Sequence, residues 1–159
     1  MFGVIKINQD APNFSLDGVL NKKVQKYELK DFTSNWLLLF FYRADFKKSS
    51  GEEILELNKL YPEFKNKNCE VVGISTDSTL SHTYWTESLK QNINFPLLSD
   101  KHHAACIDYN IFEDETAQPF SSTFLISPDK KLKWIQICNH STRIDFDYAL
   151  KVVEQSNSK

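Results

Sequence analysis

The sequence predicts an α/β domain with a mixed central sheet flanked by helices, and three observations carry that prediction. Short apolar runs alternate with helical patterns through the middle of the chain, which is the β-α-β spacing of parallel strands. SPDK at 127–130, with Pro128 in the second position, is a type I turn signal that joins two later runs as a hairpin. A last helical pattern follows the hairpin.

Taken in order, LDGVLNKK (16–23) reads as a turn between two short strands. LLLFF (37–41) is a buried strand, since it is apolar throughout, short and rich in aromatic residues. Residues 52–64 place Ile54, Leu55, Leu57, Leu60, Tyr61 and Phe64 on one side of a helix and the charges on the other. A strand is expected at 70–75, then a helix capped by Asp77 or Ser78 and running to about Lys90. A strand at 95–98 leads to a helix capped by Asp100 and running to about Tyr109. Strands at 123–126 and 132–137 form the hairpin, and 144–154 is the closing helix. This outline fits a thioredoxin-like fold. No repeat, low-complexity stretch or composition shift divides the chain, so residues 1–159 are expected to form one unit with a frayed SNSK tail.

With 41% hydrophobic and 25% charged residues, the 159-residue chain is long enough for one sizeable core. A formal charge of −2 gives no net pull toward nucleic acid or an anionic membrane. The longest apolar run, 36–42, is far too short to span a bilayer, and MFGVIKINQD lacks the basic start and apolar stretch of a signal peptide. A soluble, cytoplasmic protein is expected. The four glycines form neither a dinucleotide fingerprint nor a phosphate loop, so no cofactor is expected. Cys69, Cys106 and Cys138 lie far apart, which argues against a disulfide framework or a paired zinc motif.

Four segments in register resemble the peroxiredoxins of the alkyl hydroperoxide reductase and thiol-specific antioxidant type. They are DAPNF (10–14), LLLFFYRADF (37–46), VVGISTDSTLSHTYW (71–85) and INFPLLSDKHHAACIDYNIF (93–112). Asp77, Ser78, Ser81, His82 and Trp85 resemble the typical two-cysteine class in particular. The family's peroxidatic motif, P-x-x-x-[TS]-x-x-C, falls on RADFKKSS, which sets Arg43 in place of the proline, Lys47 in place of the hydroxyl residue and Ser50 in place of the cysteine. The family arginine falls on Ser121. Loss of all four together reads as natural degeneration and not as a single cysteine-to-serine replacement. The resemblance also implies a resolving cysteine in a tail beyond the last helix; none stands before Lys159, so an intersubunit disulfide is not expected.

The consequence for chemistry follows from the residue types. Peroxide reduction needs a thiolate that attacks the O–O bond and becomes a sulfenic acid. A serine cannot form that product, and its hydroxyl keeps its proton unless a base removes it. A lysine brings three donors and no acceptor, so Lys47 cannot accept a hydrogen bond from peroxide. Without the arginine, a thiolate stabiliser and a transition-state contact are both missing.

The expected function is therefore that of a peroxiredoxin-like scaffold without thiol peroxidase activity, serving in assembly or in regulation of a partner such as an active peroxiredoxin. A second reading is a divergent thiol peroxidase that uses a relocated cysteine, Cys138 or Cys106; the plainer reading makes all three cysteines small packed hydrophobes. A third is an anion site formed by Arg43, Lys47, Lys48 and Ser50 at a helix N-terminus. Against it stands an S-x-x-E capping box, Ser50 with Glu53, which would make Ser50 purely structural. A serine hydrolase would need a histidine base that no local pattern supplies. A metal site would need Cys138, His140, His102 and His103 to converge, and none is expected. By resemblance His82 and Trp85 are candidates for a subunit contact, with ordinary packing as the alternative. Twelve phenylalanines, six tyrosines and three tryptophans favour association, as a homodimer or larger ring.

Overall fold

Asn21 and Lys22 both adopt left-handed backbone, φ 51° and 65°, and so form the tight turn whose twist matches two antiparallel strands. The strands they join are β1 (Ser15–Leu20) and β2 (Lys23–Glu28), paired from Ser15 with Glu28 to Leu20 with Lys23. The computed structural model describes residues 5–32, 34–139 and 142–157. After β2 a 3-10 turn at Leu29–Phe32 leads to β3 (Trp36–Phe41), which is buried along its whole length. Helix α1 (Lys48–Asn66), β4 (Cys69–Ser75), α2 (Thr79–Ser88), β5 (Leu97–Ser99) and α3 (Ala104–Asp108) follow. A small hairpin of β6 (Phe112–Glu113) and β7 (Gln118–Pro119) precedes β8 (Ser122–Ile126), β9 (Leu132–Ile137) and α4 (Phe146–Asn157).

Seven strands form one sheet in the order β2-β1-β5-β4-β3-β8-β9. The β3–β4 and β4–β5 pairs are parallel, while β1–β5, β3–β8 and β8–β9 are antiparallel, so the sheet is mixed as expected. The strand pleat divides β3 between two cores. Trp36, Leu38 and Phe40 pack with Ile54, Leu57 and Phe64 of α1, Trp85 of α2, and Phe146 and Leu150 of α4. Leu37, Leu39 and Phe41 pack on the opposite face with Ala105, Cys106 and Tyr109 of the α3 region and with Phe14 and Leu29. Burial on both faces explains why β3 reads as a continuous apolar run with no alternation.

Several boundaries differ from expectation for identifiable reasons. The strand expected at 95–98 begins at Leu97, because Pro96 has no N–H to give to the ladder, although its carbonyl still accepts from Gly73. The helix expected at 52–64 begins at Lys48, where Gly51 N–H closes the first turn onto the Lys47 carbonyl. Ser78 caps α2 as anticipated, accepting from Ser81 N–H at 3.1 Å. Asp100 serves α3 differently, since His103 occupies the cap and the Asp100 carboxylate reaches over it to the N–H groups of Ala105 and Cys106. The SPDK turn is present, with Lys130 N–H donating to the Ser127 carbonyl at 2.8 Å. The β6–β7 hairpin has too few residues to leave a pattern in the sequence.

Gly73 lies where β4 meets β5 and the α1 layer, and a Cβ there would stand 2.7 Å from Leu97 Cδ2. Gly73→Ala is expected to lower stability by about 1–3 kcal/mol through overpacking. Urea unfolding would show this as a lower midpoint at unchanged slope, and an unchanged midpoint would mean that Leu97 yields freely.

Candidate functional site

The chain leaves β3 through residues 42–47 and turns directly into α1, so this loop and the first helical turn sit at the C-terminal edge of the central strands. Tyr42 continues the alternation of β3 into the α1 and α2 side, where its ring stacks on Trp85 at 5.2 Å. Its hydroxyl donates to Asp45 Oδ1 at 2.7 Å. Asp45 Oδ2 accepts from Ser81 Oγ at 2.8 Å and lies 2.6 Å from His82 Nδ1. The other ring nitrogen, His82 Nε2, lies 2.9 Å from the Leu98 carbonyl oxygen. Both ring nitrogens are therefore engaged, one by a carboxylate and one by a backbone carbonyl. Asp45 N–H donates to Asp77 Oδ2, which also accepts from Ser75 Oγ. Burial, followed by the nearby Asp45 charge, holds the Tyr42 phenol well above its usual range.

His82 and Trp85, read from the sequence as candidates for a subunit contact or for ordinary packing, take part in this network. Both are buried inside the protomer, 0% and 2% exposed, because the loop and β5 cover that face of α2. The exposed face of α2 carries Leu80 and Tyr84 instead. The network also contains an aspartate–histidine pair, Asp45 with His82, that the sequence reading missed because the two residues lie on different elements. It gives no hydrolase, since the second ring nitrogen is spent on a backbone carbonyl and no serine hydroxyl.

The motif positions are distributed as follows. Ser50 is fully buried inside the first turn of α1, and its Oγ takes a long 3.4 Å contact from Ala44 N–H. The capping box is not formed, because the cap is Lys47, in extended backbone and without a side-chain bond to the helix. Glu53 turns inward instead and accepts from Ser121 Oγ at 2.8 Å. Thus the residues at the expected cysteine and arginine positions, Ser50 and Ser121, are tied to local polar groups within one turn of α1. Arg43 is buried and pairs through Nη1 with Glu113 Oε2 at 2.6 Å on the β6–β7 hairpin. Lys47, Lys48 and Ser49 are exposed at the helix start. Only these lysines, and not the Arg43 charge, face solvent freely, which separates residues that the anion reading groups together.

The thiols are equally defined by their surroundings. Cys69, Cys106 and Cys138 are all free and buried. Desolvation raises each thiol above its usual range; Asp100 adds to the rise at Cys106, and Glu53 adds to it at Cys138. Cys138 donates its backbone N–H to the Ser121 carbonyl, which places it beside the Glu53–Ser121 pair. A carboxylate beside a buried sulfur opposes thiolate formation, so proximity to the motif positions does not activate it. His140 lies outside the described residues. Among the described residues, no three His, Cys, Asp or Glu side chains are placed to hold a metal ion, and no helix is long and apolar enough to cross a membrane.

Comparison with known proteins gives a consistent result. Residues 7–135 match the model of the AhpC/TSA family. The thioredoxin peroxidase of Fasciola hepatica is 30% identical over 156 residues, covering 95% of this chain and 80% of the relative. The alkyl hydroperoxide reductase C of Buchnera aphidicola is 35% identical over 131 residues, covering 77% of this chain and 66% of the relative. The reduced 2-Cys peroxiredoxin of Plasmodium vivax superposes with a TM-score of 0.90 at 25% identity, covering 96% of this chain and 82% of that structure.

Glu53 yields a prediction with a definite sign. Burial raises its carboxyl above the usual 4.5, outweighing the Ser121 hydrogen bond and the Arg143 charge that act in the opposite direction. A carboxyl whose folded value is raised favours the fold while protonated, and that contribution is lost as pH rises through the folded value. Glu53→Gln keeps an acceptor for Ser121 and is expected to melt higher than the parent at pH 7, with the difference closing near pH 4. A variant that melts lower at pH 7 would show that ionised Glu53 is stabilising.

Proposed function

The chain belongs to the AhpC/TSA family of peroxiredoxins, and we propose that it is a member without thiol peroxidase activity, kept as a scaffold for assembly or regulation of a partner. One observation carries the reading: Ser50 occupies the first turn of α1 where a peroxidatic thiolate would be needed, buried, and among the described residues no imidazole or carboxylate is hydrogen-bonded to its hydroxyl to activate it. Supporting it, the Arg43 charge is engaged by Glu113. In the same reading residues 1–159 act as one domain in the cytoplasm, in keeping with three unpaired cysteines.

The partner in this proposal is a second copy of the chain or an active peroxiredoxin in a mixed oligomer. Support comes from Leu80 and Tyr84, which lie one helical turn apart on the exposed face of α2, and from Phe46, 63% exposed and held in left-handed backbone with φ 63°. A protein that stays monomeric and does not co-purify with active relatives would count against this part of the proposal.

The relocated-thiol reading, with Cys138 or Cys106 as nucleophile, gains no support from buried, high-pKa sulfurs. The anion reading for the loop keeps one favourable observation: α1 begins with two exposed lysines and a cap that leaves its side chain out of the helix.

The central test is reduction of the protein, addition of a small excess of hydrogen peroxide with a sulfenate trap, and intact mass over minutes at neutral pH. No adduct is expected, and rapid labelling of one cysteine would overturn the proposal. Ser50→Cys is expected to react with peroxide only at the rate of an ordinary thiol, since Lys47 and Ser121 supply neither the family's hydroxyl nor its arginine. Recovery of fast turnover in that variant would show that a single substitution silenced an otherwise competent site.

A further inference from the structure

The N-terminus of α2 borders a cavity of about 330 Å³. The cavity is lined by Ser78 and Thr79 of α2, Ser99 at the end of β5, Asp17 and Lys26 of β1 and β2, and the segment of Lys101 and His102 that follows. The pleat explains the shared face. Val19 and Leu97 pack into the α2 side of the sheet and Leu98 into the other, so Asp17 and Ser99, each two residues along, return to the α2 side. Lys26 is the cross-strand partner of Asp17 and lies on that face too.

Two independent features make this more than a helix end. The Ser99 hydroxyl is buried and has no hydrogen-bond partner, although its residue lines the cavity and the pleat turns it toward α2. A buried hydroxyl without a partner costs free energy that a ligand oxygen would recover. In addition, Lys26, Lys101 and His102 take part in no ion pair among the described residues. The first N–H groups of a helix have no intrahelical partner. In α2 the Ser78 cap satisfies that of Ser81, which leaves those of Thr79 and Leu80.

We propose that this cavity binds the phosphate group of a small phosphorylated molecule, with the α2 N-terminus and the Ser99 hydroxyl as donors, Lys26 and Lys101 as the cationic rim and the His102 ring as a further polar group on that rim. The carboxylates on the lining do not oppose it equally. Asp100 spends both oxygens on Ala105 and Cys106 N–H groups. Asp17 is exposed and forms no ion pair, so it weakens an anion site and supplies a test of sign. The cavity is distinct from the start of α1, where Lys47 and Lys48 lie.

The test is titration of the full chain with inorganic phosphate at constant ionic strength, followed by amide shifts of Thr79 and Leu80 and by calorimetry. Saturable shifts at these two amides are expected, with binding about ten-fold weaker in Ser99→Ala, weaker in Lys101→Ala, tighter in Asp17→Asn and unchanged in Lys47→Ala. Ser99→Ala should also melt no lower than the parent without phosphate, because it removes a hydroxyl that makes no bond, and this keeps the comparison free of misfolding. Unmoved Thr79 and Leu80 amides at tens of millimolar phosphate, equal affinity in Ser99→Ala, or weaker binding in Asp17→Asn would each overturn the proposal.

Discussion

The buried carboxylate of Asp45 is the constraint on which the site region depends. It receives the Tyr42 hydroxyl and the Ser81 hydroxyl and lies against the His82 ring, while its own N–H is held by Asp77. These contacts join the end of β3, the loop, the turn after β4 and the first turn of α2 into one polar unit. Such a network is favourable only when every member is satisfied, because the low-dielectric interior that strengthens each bond also makes an unpaired group costly. Removing one partner leaves a buried polar group unsatisfied, which costs about 1–3 kcal/mol. The direction in which the loop enters α1 follows from it.

Around that fixed loop, several polar groups that could have faced a substrate are turned on one another, although the buried Arg43 Nε has no partner among the described residues. Glu113 engages Arg43, Ser121 donates to Glu53, and Ala44 N–H approaches Ser50. A site that stabilises developing negative charge needs donors aimed at empty space where that charge will appear. Here the donors of Arg43 Nη1 and Ser121 are already spent on carboxylates within the protein. Cys138, the thiol beside these residues, meets a carboxylate and no cation, so the electrostatics oppose a thiolate there. The α2 N-terminus differs: beyond the capped Ser81 N–H, the Thr79 and Leu80 N–H groups and the Ser99 hydroxyl remain uncommitted.

The sequence by itself determined the alternation of strands and helices, the mixed sheet, the Ser78 cap and the SPDK hairpin, because each rests on local chemistry or on a periodicity contained within one segment. It also placed the chain among its relatives through four segments spread along its length. Only the tertiary structure decided what the side chains of those segments touch. Ser50 and Glu53 have the spacing of a capping box, yet the helix begins at Lys48 and Glu53 reaches Ser121, 68 residues away. His82 and Trp85 share a helix whose pattern does not say which face is covered, and the loop around Asp45 buries both. The Asp45–His82, Arg43–Glu113 and Glu53–Ser121 pairs span 37, 70 and 68 residues. Contacts of that range leave no periodic trace in one sequence, since they are set by how sheet and helices pack and not by the residues beside them.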